Sequence, residues 1–360
     1  MSSDYGENIK ITLFGQSHAK AIGVVMDNIP AGVKLNMEEI QKFMGRRAPG
    51  QSKFATARKE ADIPDIVSGV VDGITVGAPI CAVIYNTDQK SKDYSGIAQN
   101  PRPSHADYPA FVKFGDAHDI RGGGLFSGRL TAPLCFAGAV CKQLLAQKGI
   151  YVGAHIKSVG DIYDDLYNPV TVNKETLEIT SDKLFPVLNE EKGALMQEKI
   201  INAKKELDSV GGTIECAVIG LNAGMGEPFF GSIEGKISQA MFCIPAIKGI
   251  EFGIGFEGTK LFGSQHNDPY RYENGRVVTA TNNNGGILGG LSTGMPIVFS
   301  VAVKPTPSIG KEQDTIDRIN KVNSKLIING RHDPCIVPRA VPCIEAAAAI
   351  AIYDMVSKEL

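Results

Sequence analysis

Two stretches of this chain, residues 132–140 and 346–352, are continuously apolar. Neither approaches the ~20 residues a helix needs to cross a bilayer. A short helix with no polar face is stable only when protein surrounds it, so both are read as buried helices. The first belongs to a helix expected from about residue 127 to 145, the second to one over 340–358. Around them the sequence switches between strand and helix periods. Ile9, Ile11 and Leu13 alternate with Lys10 and Thr12, which predicts a strand, and residues 22–26 predict a second. Asn36 with Glu39 resembles a capping box ahead of Met37, Ile40, Phe43 and Met44, a helix expected to stop near Gly45. Further strands are expected at 80–85, 213–221, 250–256 and 297–303, and further helices at 195–207 and 233–244. The two kinds of element mix throughout with no linker-like segment. That pattern favours one integrated unit over residues 1–360, of α/β or α+β class.

Charge is balanced, with 37 Lys+Arg against 39 Asp+Glu. No global field favours nucleic acid or an anionic membrane, so any anion site must come from local focusing of cations. The 40 glycines show no collagen period and suit turns and close backbone approach. Seven cysteines, an odd number with no C-x-x-C, include Cys81, Cys135, Cys141 and Cys216 in apolar runs. They read as reduced thiols of a cytoplasmic protein, not as a disulfide framework. The opening residues Met-Ser-Ser-Asp-Tyr-Gly-Glu carry no apolar core of a secretory signal.

Three histidine-bearing clusters lie far apart. They are Gly15-Gln16-Ser17-His18, Arg102-Pro103-Ser104-His105-Ala106-Asp107, and Arg331-His332-Asp333-Pro334-Cys335 followed by Arg339. Imidazole titrates near neutral pH, so histidines beside arginines suit proton transfer on an anionic substrate. One site assembled from distant parts of the fold is the expectation. A basic stretch over 46–59, interleaved with Pro49, Gly50 and Ser52, reads as a loop able to converge on an anion, or as a solvated face. Gly122-Gly123-Gly124 breaks the chain before a helix, whose N-terminus suits phosphate; a turn packed on a strand is the plainer alternative. Gly15-Gln16-Ser17-His18-Ala19 approaches a nucleophile elbow, but a strand and not a helix is expected to follow. Cys335 and Cys343, with only His332 near, match no usual metal-ligand spacing, so no metal is expected.

Taken in order, these motifs together with Arg47-Ala48-Pro49-Gly50, Asn86-Thr87-Asp88-Gln89, Gly285-Gly286-Ile287-Leu288-Gly289-Gly290 and Lys304-Pro305-Thr306 closely resemble the chorismate synthase family. The resemblance runs from about residue 9 to 355. It implies an α+β fold, a β-α-β sandwich, usually assembled as a homotetramer. It implies a carbon–oxygen lyase that converts 5-enolpyruvylshikimate 3-phosphate to chorismate by 1,4-anti elimination of phosphate, the last step of the shikimate pathway. Reduced FMN is required although no net redox change occurs. No separate dinucleotide fingerprint is present, so an external flavin reductase is expected, with NADPH entering only as reductant of the flavin.

By match to the family's motifs, His18, His105 and Asp333 are the expected catalytic groups: His18 protonating the departing phosphate, His105 acting on the flavin. Ser17, Arg47, Lys53, Arg129 and Arg339 are expected at the substrate. Leu125, Phe126, Ser127, Pro245, Ala246, Gly289, Lys304, Pro305, Thr306, Pro307, Ser308 and Arg331 are expected at FMN, with Arg331 also an anion ligand. Gln16, Lys53, Ser104, Leu125-Phe126 and Pro245 depart from the common pattern, Ser104 standing where the family has glycine. Two other readings are a serine hydrolase built on Ser17 and a non-catalytic FMN-binding scaffold.

Overall fold

The structure, a computed structural model, describes residues 3–50, 60, 62–87, 96–328 and 333–357. The first sheet runs β1 (Asp4–Tyr5), β2 (Lys10–Gly15), β3 (Ala21–Asp27), β7 (Ile80–Tyr85), β4 (Asp65–Ser68), all neighbours antiparallel. A hairpin of β5 (Val70–Val71) and β6 (Ile74–Thr75) adjoins it in sequence. The second sheet runs β11 (Ile247–Phe252), β16 (Ile297–Val303), β10 (Gly212–Ile219), β8 (Tyr151–Val159), β9 (Ile162–Tyr163), again antiparallel. Among the described residues three hairpins complete the strands: β12 (Tyr270–Glu273) with β13 (Arg276–Thr279), β14 (Ile287–Leu288) with β15 (Leu291–Ser292), and β17 (Gln313–Asp317) with β18 (Val322–Leu326).

Helices lie between the sheets. α3 (Thr131–Ala146) packs on β3 and β7 of the first sheet, and α8 (Val337–Val356) on β8 and β10 of the second, with α3 against α8. α1 (Met37–Arg47) packs on both, and α6 (Ile233–Phe242) on α8. This is the β-α-β sandwich expected. The two apolar stretches are the middle of α3 and α8, buried almost all round. Gly138 of α3 allows the contact: a Cβ there would lie 2.3 Å from Ala346 Cα in α8.

The second sheet is buried on both faces. Ile214, Cys216 and Val218 face the helical core, while Ala217 joins Leu177 of α4 (Lys174–Ser181) in a smaller cluster on the other side. Gly153 leaves room for that helix, since a Cβ there would come within 2.8 Å of Leu177. His155, paired with Glu215 across β8 and β10, lies fully buried. Its Nε2 bonds Glu215 at 2.9 Å and its Nδ1 lies 3.2 Å from Asp164. α2 (Asp107–Phe114), α5 (Glu190–Lys205) and α7 (Gly263–His266) are the remaining α-helices among the described residues. Among the described residues no helix is long and apolar enough to cross a membrane. The seven cysteines are unpaired.

Several expected boundaries move. α1 continues past Gly45 through Arg46 and Arg47, because Ile40, Phe43, Met44 and Arg47 share a buried face. The helix expected from residue 127 begins as a 3₁₀ turn, Gly128–Leu130, with α3 proper starting at Thr131. Residues 270–284 form the β12–β13 hairpin and a stretch tied to Asp268.

The N-terminus is pinned by Asp354 of α8, whose buried carboxylate accepts from the backbone N–H groups of Glu7, Asn8 and Ile9 at 2.7–3.0 Å. Asp354→Ala is expected to lower the unfolding free energy by about 2–3 kcal/mol, read from denaturant midpoints. For His155, burial opposes the charged ring, but bonds to Asp164 and Glu215 outweigh it and raise its pKa. Its stabilisation is therefore full below the unfolded value of ~6.5 and is lost as pH rises through the folded value. Unfolding free energy should fall more steeply above pH ~6.5 in the wild type than in His155→Gln; equal slopes would contradict this.

Candidate active site

Three helix ends meet on one cavity of about 750 Å³. Arg47 is the last residue of α1, Arg129 lies in the 3₁₀ turn that leads into α3, and Arg339 is in the first turn of α8. The N-termini of α3 and α8 carry positive dipole ends, so the fold itself favours an anion here. Arg47 and Arg129 are each 4% exposed. Arg47 donates through Nε to Thr131 Oγ1 at 3.0 Å, through Nη2 to Gly128 O at 3.0 Å, and through Nη1 to Asp62 Oδ2 at 2.5 Å. Arg129 pairs with Glu60 at 2.8 Å, with Asn86 Oδ1 at 3.0 Å, and through Nη1 with Asp62 Oδ1. Its Nη2 is buried and has no hydrogen-bond partner among the described residues. Arg339 pairs with Asp333 at 2.5 Å and donates to Arg47 O. Arg46 does not line the cavity; it is held by Glu345 at 2.7 Å.

Burial lowers the pKa of Arg129 and Arg339, and Arg47's like charge adds to the fall although Asp62 and Asp333 oppose it. The acids present thus under-compensate these cations, and a further anion would relieve them. Asp62 is held below the usual carboxylate range, since Arg47 and Arg129 overcome the burial that would raise it.

A second network supplies the imidazole. Asp107, the first residue of α2, receives Arg102 Nε at 2.7 Å and Nη2 at 2.8 Å, and lies 2.6 Å from His105 Nδ1. Burial works to raise Asp107, but bonds from Arg102 and His105 outweigh it and hold its pKa far down. The carboxylate therefore fixes Nδ1 as donor, while Nε2 lies 3.2 Å from Arg102 Nη2. Ser104, beside His105, has φ 58°, the left-handed region that glycine favours.

Fourteen expected residues line the cavity: Arg47, His105, Leu125, Phe126, Ser127, Arg129, Pro245, Ala246, Lys304, Thr306, Pro307, Ser308, Asp333 and Arg339. Thr306 Oγ1 donates to Asp333 O at 2.8 Å and Arg102 Nη1 to Ser308 Oγ at 3.2 Å, which ties these distant segments together. Ser17 and His18 are not on the wall; they stand behind Gly122, which is. Ser17 is fully buried in the β2–β3 connection, with no helix after it, which removes the geometry a serine hydrolase needs. Pro305 packs on Gly211. Gly289 serves the β14–β15 turn with φ 63° and does not reach the cavity within the single chain. Lys53, Arg331 and His332 lie outside the described residues. Sequence reasoning missed Glu60, Asp62 and Thr131. The only signal for the two acids was their place directly after the basic stretch.

Gly122 and Gly123 hold left-handed backbone, φ 60° and 86°. A Cβ on Gly122 would sit 2.3 Å from His18 Nδ1 and 2.4 Å from Ser17 Oγ. Gly122→Ala is expected to cost about 2 kcal/mol or more through strain and overpacking. Gly45→Ala, in a helix with open space around it, should be neutral or stabilising by up to about 1 kcal/mol. Denaturant titration of both variants checks the contrast.

The family model for chorismate synthase matches residues 9–357. The chain is 45% identical over 350 residues to the chorismate synthase of Methanococcoides burtonii, covering 97% of this chain and 94% of that protein. It is 43% identical over 357 residues to that of Dehalococcoides mccartyi, covering 99% and 96%. A crystal structure of chorismate synthase superposes with a TM-score of 0.77 at 30% identity, over 99% of this chain and 94% of that one. With the sandwich fold and the arginine-lined cavity already in place, the chain belongs to the chorismate synthase family.

Proposed function

We propose that the cavity binds 5-enolpyruvylshikimate 3-phosphate beside reduced FMN, and that the chain, acting as one unit over residues 1–360, is a carbon–oxygen lyase yielding chorismate and phosphate. The observation that carries this is the convergence of Arg47, Arg129 and Arg339, with Arg129 Nη2 unpartnered among the described residues. The substrate's two carboxylates and phosphate need that many forked donors.

The donor set also fits a flavin. Leu125, Phe126, Ile244 and Ile336 give apolar wall for a ring system, and Lys304 with the hydroxyls of Thr306 and Ser308 suits a phosphate or ring carbonyls. Ala246, at φ 77°, turns the backbone at this wall, and its carbonyl accepts from Lys304 N at 3.0 Å. When bound, reduced FMN supplies transient electron donation for the loss of phosphate. His105, oriented by Asp107, exchanges its proton at Nε2 on the cavity side. Gly123 keeps that approach open, since a Cβ there would lie 3.3 Å from Nε2. His18, one glycine behind the wall, is assigned the proton for the departing phosphate by its match to the family's motif. Asp333 holds Arg339 toward the substrate and, through its carbonyl, the Thr306 segment.

Exposed aromatics support a homotetramer. Phe229, Phe230, Phe256, Phe262 and Tyr272 are each at least 77% exposed in the single chain. Aromatic side chains this exposed favour contact with another subunit. Free thiols favour a cytoplasmic setting.

The test is an anaerobic assay with purified protein, substrate and chemically reduced FMN, following chorismate absorbance. Turnover is expected, and none with NADPH plus oxidised FMN unless a separate flavin reductase is added. Absence of product with FMN bound would favour the scaffold reading. His18→Ala and His105→Ala should each lower kcat by about 10²–10⁴-fold with the circular dichroism spectrum unchanged; near wild-type turnover in either would remove that residue's role.

A further inference from the structure

We propose that Asp62 is a positioning residue of the anion site, setting the separation of Arg47 and Arg129 so that the substrate meets the Arg129 nitrogen that Asp62 leaves unbonded. The inference rests on the reading that this cavity takes a phosphorylated dicarboxylate.

Asp62 is 2% exposed and lies behind the two arginines, not on the cavity wall. Its two oxygens serve two different cations, Oδ2 receiving Arg47 Nη1 at 2.5 Å and Oδ1 receiving Arg129 Nη1. Two buried guanidinium groups repel each other, and a rigid carboxylate between them fixes one distance. The remaining contacts then define orientation. Arg47 has every nitrogen bonded, through Thr131, Gly128 and Asp62. Arg129 has Nε and Nη1 bonded, and Nη2 left without a partner among the described residues. Asp62 thus takes Nη1 of Arg129, and the buried Nη2 is the one nitrogen of that fork without a partner among the described residues, left for a ligand oxygen.

Asp62 has φ 51°, a left-handed conformation that aspartate tolerates at single positions. Here it delivers the carboxylate to the point between the two arginines.

Steady-state kinetics on the holoenzyme tests this. Asp62→Asn keeps the size and one acceptor but cannot hold both guanidinium groups. It should raise KM for the substrate about tenfold while kcat changes less than about threefold. Because Asp62 acts through Arg129, the double variant with Arg129→Gln should show a KM no higher than Arg129→Gln alone. An unchanged KM in Asp62→Asn, or single effects that multiply in the double variant, would overturn the proposal. Should Asp62→Asn not fold, Asp62→Glu keeps the charge but lengthens the arm; positioning still predicts a raised KM, and a wild-type KM would overturn it. Wild-type turnover measured alongside separates a failure here from a failure of the proposed activity.

Discussion

The site depends on how closely α3 and α8 approach. Gly138 lies so near Ala346 that no side chain fits between them. This contact sets the starts of both helices side by side, with Arg129 just before one and Arg339 just inside the other. α1, packed on both, delivers Arg47 from its C-terminal end. The apolar middles of the two helices and the cationic cavity are therefore two ends of one arrangement. A helix buried on all sides has no room to slide, because interiors are packed like molecular crystals.

Charge is the second constraint. A chain with a formal net charge of -2 concentrates Arg47, Arg102, Arg129, Lys304 and Arg339 on one cavity. Buried cations of this number persist only when paired, and Glu60, Asp62, Asp107 and Asp333 supply the partners. The pairing is incomplete in a useful sense: Arg129 and Arg339 remain depressed, and one Arg129 nitrogen has no acceptor among the described residues. The cavity is organised before ligand arrives, and an anion completes it. Preorganised donors of this kind need little rearrangement at the moment of reaction.

Much of the sandwich could be read from periodicity. β16 spans 297–303 as expected, because a strand buried on both faces is a continuous apolar run bounded by turns. α1 ran longer than expected, since buried contacts of Met44 and Arg47 outweigh a glycine at 45. The β12–β13 hairpin was missed although Asn274-Gly275, both left-handed, is its turn signal. The cavity residues were legible through the order of motifs, not through spacing: residues 47, 105, 129, 304 and 339 meet only after folding. Asp62 and Glu60 were not legible, because acids beside a basic stretch read as solvated charge. Nor could the sequence show that His18 sits behind Gly122, more than a hundred residues away.

The most direct measurement is a crystal structure with 5-enolpyruvylshikimate 3-phosphate and FMN bound. The account predicts a substrate oxygen within about 3.2 Å of Arg129 Nη2, with Asp62 still bridging Arg47 and Arg129. Substrate bound away from this cavity, or Arg129 Nη2 left without a ligand oxygen, would contradict it.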